Sequence, residues 1–469
     1  MNQTRVRQRA STAPDTGQRY FDLGHLLRRS GFGATPQEIT AAAQAGTAAT
    51  IDRIVNYSQI PDNFTPPDPT VIAGKNTPIE PLSVWWLQRM LTTARPFQEK
   101  MTLFWHGHFA TAFSKVRYPS FMYQQNQLFR QTALGRFDDI LGAVYKDPAM
   151  LIWLDGDRNV KAAPNENFAR EVMELFTIGR GPDSAPNYTQ NDVHEGARSF
   201  TGWQLNVDTG AVVFNPRLHD DGMKSYLGQT GNFTGDDIVR ILAAHPATGS
   251  FLATKIWRFF ASETAPVGVI QSMSQSYYSS GHSIAAMVRT MFTSPELYSQ
   301  DTRQSHIKNP TDFAVSALHH LGLSNVDLTA VPRTLALMGQ ELFNPPNVGG
   351  WSGGASWVNA ATMLTRFNFA SRVTGDAPGS QPLFDPTAMY TASQAASATE
   401  LVDYVTNLLG VIPGATTGSA LLSYAGGDAI QRFISRLMPA DDVGLQSDPA
   451  TTVRGLVHLT LTSPEYQIA

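Results

Sequence analysis

Most residues whose types and spacing suggest chemistry lie between Trp105 and Trp203. His106 and His108 form a His-x-His pair, a spacing common among metal ligands. In a helix, residues two apart lie roughly 200° apart and cannot share an ion; in an extended segment they share a face. Gly107 could end a helix and bring the two imidazoles together. The other reading is a buried helix, apolar all round, with one hydrogen-bonded core histidine. Further on, Asp155, Asp157, Asn159 and Glu166 fall at positions 1, 3, 5 and 12 of a calcium-type loop. Val160 stands where such a loop needs Gly, and Pro164 interrupts it, so a regular EF-hand is not expected. A looser divalent-ion loop and a polar loop capped by Asn165 both remain open.

The segment from Glu166 to Phe176 reads as an amphipathic helix. At about 100° per residue, Glu166, Arg170, Glu171 and Glu174 share one arc, with Phe168, Val172, Met173, Leu175 and Phe176 opposite. Carboxylates grouped around one guanidinium suit ion binding or general-acid work. They equally suit a solvated face with Glu166–Arg170 and Arg170–Glu174 pairs. In the next helix, opened by Thr189 and Asp192, the residues His194, Glu195 and Arg198 share the polar arc. His219-Asp220 is a candidate ligand or base pair in a loop, and His245-Pro246 lies beside another. The run from Lys255 to Phe260 reads as a buried helix end. From Asn344 to Gly354 the chain carries its densest turn signal. There Trp351, with Trp357, could form a platform for sugar rings or pack inward. Phosphate loops, dinucleotide fingerprints, Gly-x-Ser-x-Gly and His-Glu-x-x-His are all absent.

The elements that must position these residues are overwhelmingly helical. The 469 residues are 42% hydrophobic and 16% charged, an ordinary globular composition. A net charge of −4 gives no basic excess to drive nucleic-acid binding. With no cysteine, disulfides, thiolate zinc sites, iron–sulfur clusters and thiol nucleophiles are excluded. No run is long and apolar enough for a membrane span. Residues 1–19 read as a polar arm. Arg28-Arg29 lacks the apolar stretch of a twin-arginine signal. Thr35-Pro36-Gln37-Glu38 is a capping box, Gly46 suits a helix end, and Thr47 opens a helix through Val55. A proline-rich excursion covers residues 60–81.

Helical periodicity continues over about residues 120–146, 165–178, 189–203, 235–260, 282–298 and 310–322. Only Ala211–Phe214 reads as a strand. The expected fold is mostly α. It has a main core over residues 20–370, a linker or long loop at 371–396, and a C-terminal helical block at 397–469. One echo stands out: Thr293-Ser294-Pro295-Glu296 recurs as Thr462-Ser463-Pro464-Glu465, each after an apolar helix. It reads as shared punctuation, a Ser cap followed by Pro.

Taken together, several stretches resemble the bacterial domain-of-unknown-function family 1800. They are His25-Leu26-Leu27-Arg28-Arg29-Ser30-Gly31-Phe32-Gly33, the Phe104 to Thr111 block, Asn165 to Glu171 with Glu174-Leu175-Phe176, and Thr201-Gly202-Trp203. His219-Asp220, the Pro345 to Trp351 loop and Ser463-Pro464-Glu465 also match. The resemblance runs from about residue 20 to the last residues. It implies a bacterial protein, often exported, frequently encoded beside a twin-arginine-bearing family related to alkaline phosphatases. It supplies no agreed catalytic residues.

The residues favour a divalent-metal-dependent enzyme, more hydrolytic than redox. His106, His108, Glu166, Glu174, Asp155, Asp157 and Asn159 are its candidate ligands. Glu174, Glu171, Arg170 and Glu195 are the candidate catalytic groups, with Trp351, Trp357, His219 and Asp220 meeting a small-molecule or glycan substrate. For this to work, the 166–178 helix must turn its polar face inward, beside His106–His108. The rival is a non-catalytic, extracytoplasmic glycan- or protein-binding accessory protein with at most a structural ion. A haem protein is a weaker third option, since no attachment motif is present.

Overall fold

A computed structural model describes residues 16–375, 383–386, 397–426 and 449–469. The mostly α reading holds. The first helices are α1 (Thr16–Ser30), α2 (Pro36–Ala45) and α3 (Thr47–Val55), followed by α4 (Glu80–Thr92) and α5 (Pro96–His108). Next come α6 (Phe113–Val116), α7 (Pro119–Thr132), α8 (Phe137–Val144), α9 (Pro148–Trp153), α10 (Asn167–Glu171) and α11 (Gln190–Ser199). After two small hairpins the chain forms α12 (Gly235–Ala244), α13 (Pro246–Phe260), α14 (Val267–Ser279), α15 (Ile284–Thr293) and α16 (Pro310–His320). Last are α17 (Val331–Leu337), α18 (Ala360–Thr374), α19 (Ala398–Leu408), α20 (Ala415–Ala425) and α21 (Pro449–Thr462).

Local chemistry explains the punctuation. Thr35 accepts from the Glu38 amide while the Glu38 carboxylate takes the Thr35 amide, so α2 starts at the expected capping box. The expected 235–260 helix is two helices. His245 caps the second, its Nδ1 accepting from the Ala247 amide at 3.2 Å, and Pro246 takes the first helical position. The 120–146 pattern also splits, between α7 and α8. Both copies of the Thr-Ser-Pro-Glu echo end an α-helix and enter a short 3-10 turn, Pro295–Tyr298 and Glu465–Gln467. Thr16–Arg19, expected in the polar arm, begin α1; residues 1–15 and most of the 371–396 linker lie outside the described residues.

The expected strand near 211–214 is half of a hairpin. Trp203–Leu205 (β1) pairs antiparallel with Val212–Phe214 (β2), and Lys224–Tyr226 (β3) with Gln229–Gly231 (β4). Three-residue strands carry too little alternation to stand out in the sequence.

Two apolar clusters fill the interior. One gathers residues from α1–α3, α5, α8 and α10–α15; the other joins α4 and α16–α18 to α19–α21. The C-terminal helices therefore share a core with α4 and α16. The two clusters meet at α4, α5 and α7, where Glu99 is fully buried. Its Oε1 takes Arg89 Nε at 2.6 Å and Arg130 Nε at 2.7 Å, and its Oε2 takes Arg130 Nη2 and Trp86 Nε1, both at 2.9 Å. All of its acceptor sites are thus used, as a buried carboxylate requires.

Candidate functional site

The helix α5 runs unbroken through Gly107 to His108, so the two imidazoles point apart and cannot share an ion. His106 Nε2 is 3.1 Å from Asn126 Nδ2, and its ring packs among Trp86, Phe129 and Phe343. Burial, with Arg130 adding, pushes its pKa down to about 3. His108 is buried among Phe104, Phe109 and Phe176, and its Nε2 lies 3.0 Å from the Phe176 carbonyl. Burial holds it neutral, well below the usual imidazole range. A neutral ring facing a carbonyl must donate from Nε2. Both are core histidines, where the second reading of the sequence expected one.

Gly107 serves a different purpose. The backbone of the loop after Phe343 lies against it so closely that a Cβ on Gly350 would sit 2.2 Å from the Gly107 oxygen. Gly350 also has φ +83°, which strains any other residue. Trp351 packs over Gly107, and Trp357 is buried against Gly339. The expected two-Trp platform for a sugar ring is thereby corrected: both indoles help dock the loop and neighbouring chain onto the core.

The 166–178 segment changes hydrogen-bonding pattern midway. Asn167–Glu171 is α-helical, and Val172–Thr177 is a π-helix. Wider i→i+5 bonding alters the spacing after Glu171. Glu166 pairs with Arg170 at 3.1 Å, but the expected Arg170–Glu174 pair does not form. Glu174 instead accepts from the Tyr188 hydroxyl at 2.6 Å. The segment does lie beside His108, but it offers its apolar side there, through Phe176. Glu166, Arg170, Glu171 and Glu174 are only partly buried, so the expected inward polar face is corrected. Burial, with Glu174 next to it, raises the Glu171 pKa. Gln190 Nε2 donates to Glu166 at 2.8 Å, and His194 Nδ1 stands 3.8 Å from the other Glu166 oxygen.

The calcium-type loop is tied internally. Asn159 is buried, donating to the Ala197 carbonyl at 2.9 Å and accepting the Asn165 amide at 2.8 Å. Asp155 takes Lys115 Nζ at 3.0 Å and Asn167 Nδ2 at 3.3 Å. Asp157 stands apart in a 3-10 turn, its pKa raised by burial. With Glu166 committed to Arg170 and Gln190, the spacing of an ion loop is present without its convergence.

His219 and Asp220 do not act as a pair. His219 Nδ1 is 2.9 Å from the Thr201 carbonyl. Asp220 is gripped by Arg198 through contacts of 2.7 and 3.0 Å, which hold its carboxyl down to about 2. Arg198 also donates to Glu195 at 2.8 Å, so Glu195 belongs to a network fastening α11 to the loop before β3. Among the described residues, no group of three or more His, Asp or Glu side chains is placed to hold a metal ion.

A well-formed apolar recess among the described residues involves residues absent from the expected site. It lies between α1, α2, α3 and the turn from α4 into α5, with a volume of about 300 Å³. Leu27, Ile54, Met90 and Phe97 give it apolar walls, and Ala41, Ala42, Ala45 and Ala49 leave it open. Its polar groups are few. Glu38 and His319 pair at 3.0 Å, and Arg95 Nε donates to the Ile60 carbonyl at 2.6 Å. Arg53 is exposed and makes no hydrogen bond or ion pair among the described residues. The only sequence signal for this recess is the alanine run of α2, which by composition reads merely as a good helix.

A mostly helical fold, with two small hairpins and an apolar recess among the described residues, does not by itself define a function. Residues 25–468 match the model of a family described as protein of unknown function (DUF1800), and the chain belongs to that family. No curated protein and no solved structure matches it. No helix among the described residues is long and apolar enough to cross a membrane.

Proposed function

We propose that the protein is a non-catalytic binding protein, and that its ligand is a small molecule with an apolar body and one anionic end. The recess beside α2 and α3 carries this reading. A volume of about 300 Å³ sits at the lower end of typical ligand sites, and an apolar lining with few polar groups is their usual make-up. The unpaired, exposed Arg53 supplies a counter-charge at the edge. A chain of methylenes would gain about 0.8 kcal/mol for each one buried. Decanoate is a suitable probe. It should bind saturably in a calorimetric titration, and Ala45→Phe, which fills the recess, should weaken it at least about tenfold. Arg53→Gln should weaken decanoate and leave decanol unchanged. Absence of saturable binding, or binding indifferent to Ala45→Phe, would end this reading.

Metal-dependent hydrolysis stands as a second reading on one observation. Glu166 and His194 lie 3.8 Å apart on a partly exposed face, with Glu171 and Glu174 on the same segment. Manganese bound there should give an altered paramagnetic resonance spectrum that His194→Ala removes. A spectrum identical to the free ion's would discard the idea.

A further inference from the structure

A second, much smaller cavity lies where α1, α5 and α16 meet the chain just before α16, and its basic side chains outnumber its acidic ones. Arg29, Lys100 and Lys308 line it and are 3%, 4% and 5% exposed, with half-buried Arg28 beside them. Asp312 is the one carboxylate side chain in the lining, and it is committed to Lys100; Ala469 also borders the cavity. No other ion pair joins a cation of this group to a carboxylate among the described residues. Arg29 spends one nitrogen on the Ala261 carbonyl, and its Nε is buried without a partner. Lys308 places its ammonium 3.5 Å from the Tyr466 ring centre.

The histidines of the lining add donors. His320 Nε2 accepts the Ala34 amide at 3.1 Å, so its proton resides on Nδ1. Among the described residues, that Nδ1 is buried and unpartnered, as is His306 Nδ1. A buried donor without an acceptor costs about 1–3 kcal/mol, and an unpaired buried cation costs more. Water could satisfy the donors but not the charge. Burial pushes the Lys308 ammonium well below its ordinary range. Arg29 stays protonated at neutral pH, and no carboxylate side chain of the lining forms an ion pair with it.

We infer that this cavity is a binding site for one small monovalent anion of the halide class, held by Arg29, Lys308 and the Nδ1–H of His320. The size agrees: about 20 Å³ exceeds the roughly 10–15 Å³ that one water needs, and leaves no room for a bulky organic acid. The test keeps ionic strength constant while sodium chloride replaces sodium gluconate, and follows the melting temperature of the whole protein. A saturable rise with chloride is expected, since a ligand that binds only the folded state stabilises it by mass action. Lys308→Met should abolish or sharply reduce that response. Crystals soaked in bromide provide a readout that does not depend on any variant folding, with an anomalous peak expected between Arg29 and His320. A melting temperature indifferent to halide, a full response retained by Lys308→Met, or bromide found only at surface positions would each overturn the inference.

Discussion

Asp147 illustrates how a residue chosen for local structure acquires an electrostatic consequence. It caps α9, accepting the Met150 amide at 3.0 Å and Gln125 Nε2 at 2.7 Å, yet it is buried. Burial outweighs those bonds and pushes its carboxyl from 3.8 up to about 7. The folded chain therefore holds this proton more tightly than the unfolded chain. The resulting stabilisation is fully present below about pH 4 and is lost as pH rises to about 7. Between pH 5 and 8 the loss should be about 2–3 kcal/mol. Asparagine can accept the same bonds without ionising. Asp147→Asn should then be more stable than the natural protein at pH 8, with a flatter dependence in urea titrations at each pH. A variant less stable at pH 8 than at pH 5, in parallel with the natural protein, would contradict the assignment.

At the scale of elements, the π-helical turn after Glu171 gives a partner to the buried His108, offered by the sequence as a metal ligand, and to the half-buried Lys255. It leaves carbonyls that side chains must meet. Lys255 Nζ donates to the Leu175 carbonyl at 2.9 Å, and His108 Nε2 reaches that of Phe176. Lys255 keeps this bond although burial pulls its pKa down to about 8. His108 is thus a clamp between α5 and the π turn. His108→Phe should preserve ring packing but orphan the carbonyl, costing about 1–3 kcal/mol in urea unfolding. His108→Gln, which can still donate, should cost less. Equal stability of both variants and the natural protein would refute the clamp. Sequence reading located this contact but misjudged its face, because 3.6-residue periodicity cannot announce a change to i→i+5 bonding.

Across the whole molecule, helix content, the caps at Thr35 and Thr189, the proline-led start of α2 and the family membership were legible from residue order. These depend on neighbours within a turn or two, so local sequence carries them. What the polar residues do was not legible in the same way. Glu166, His108, Asp220 and Trp351 each had a spacing compatible with chemistry. Their roles were decided by partners far along the chain: Gln190 for Glu166, Phe176 for His108, Arg198 for Asp220 and Gly107 for Trp351. The apolar recess and the cation-lined cavity depend still more on assembly, since each is a space that exists only after several helices have packed. A carboxylate or imidazole pattern states which groups are available. Whether they meet an ion, a backbone carbonyl or a guanidinium depends on the tertiary arrangement, because desolvation and hydrogen-bond geometry act between segments that sequence spacing does not relate.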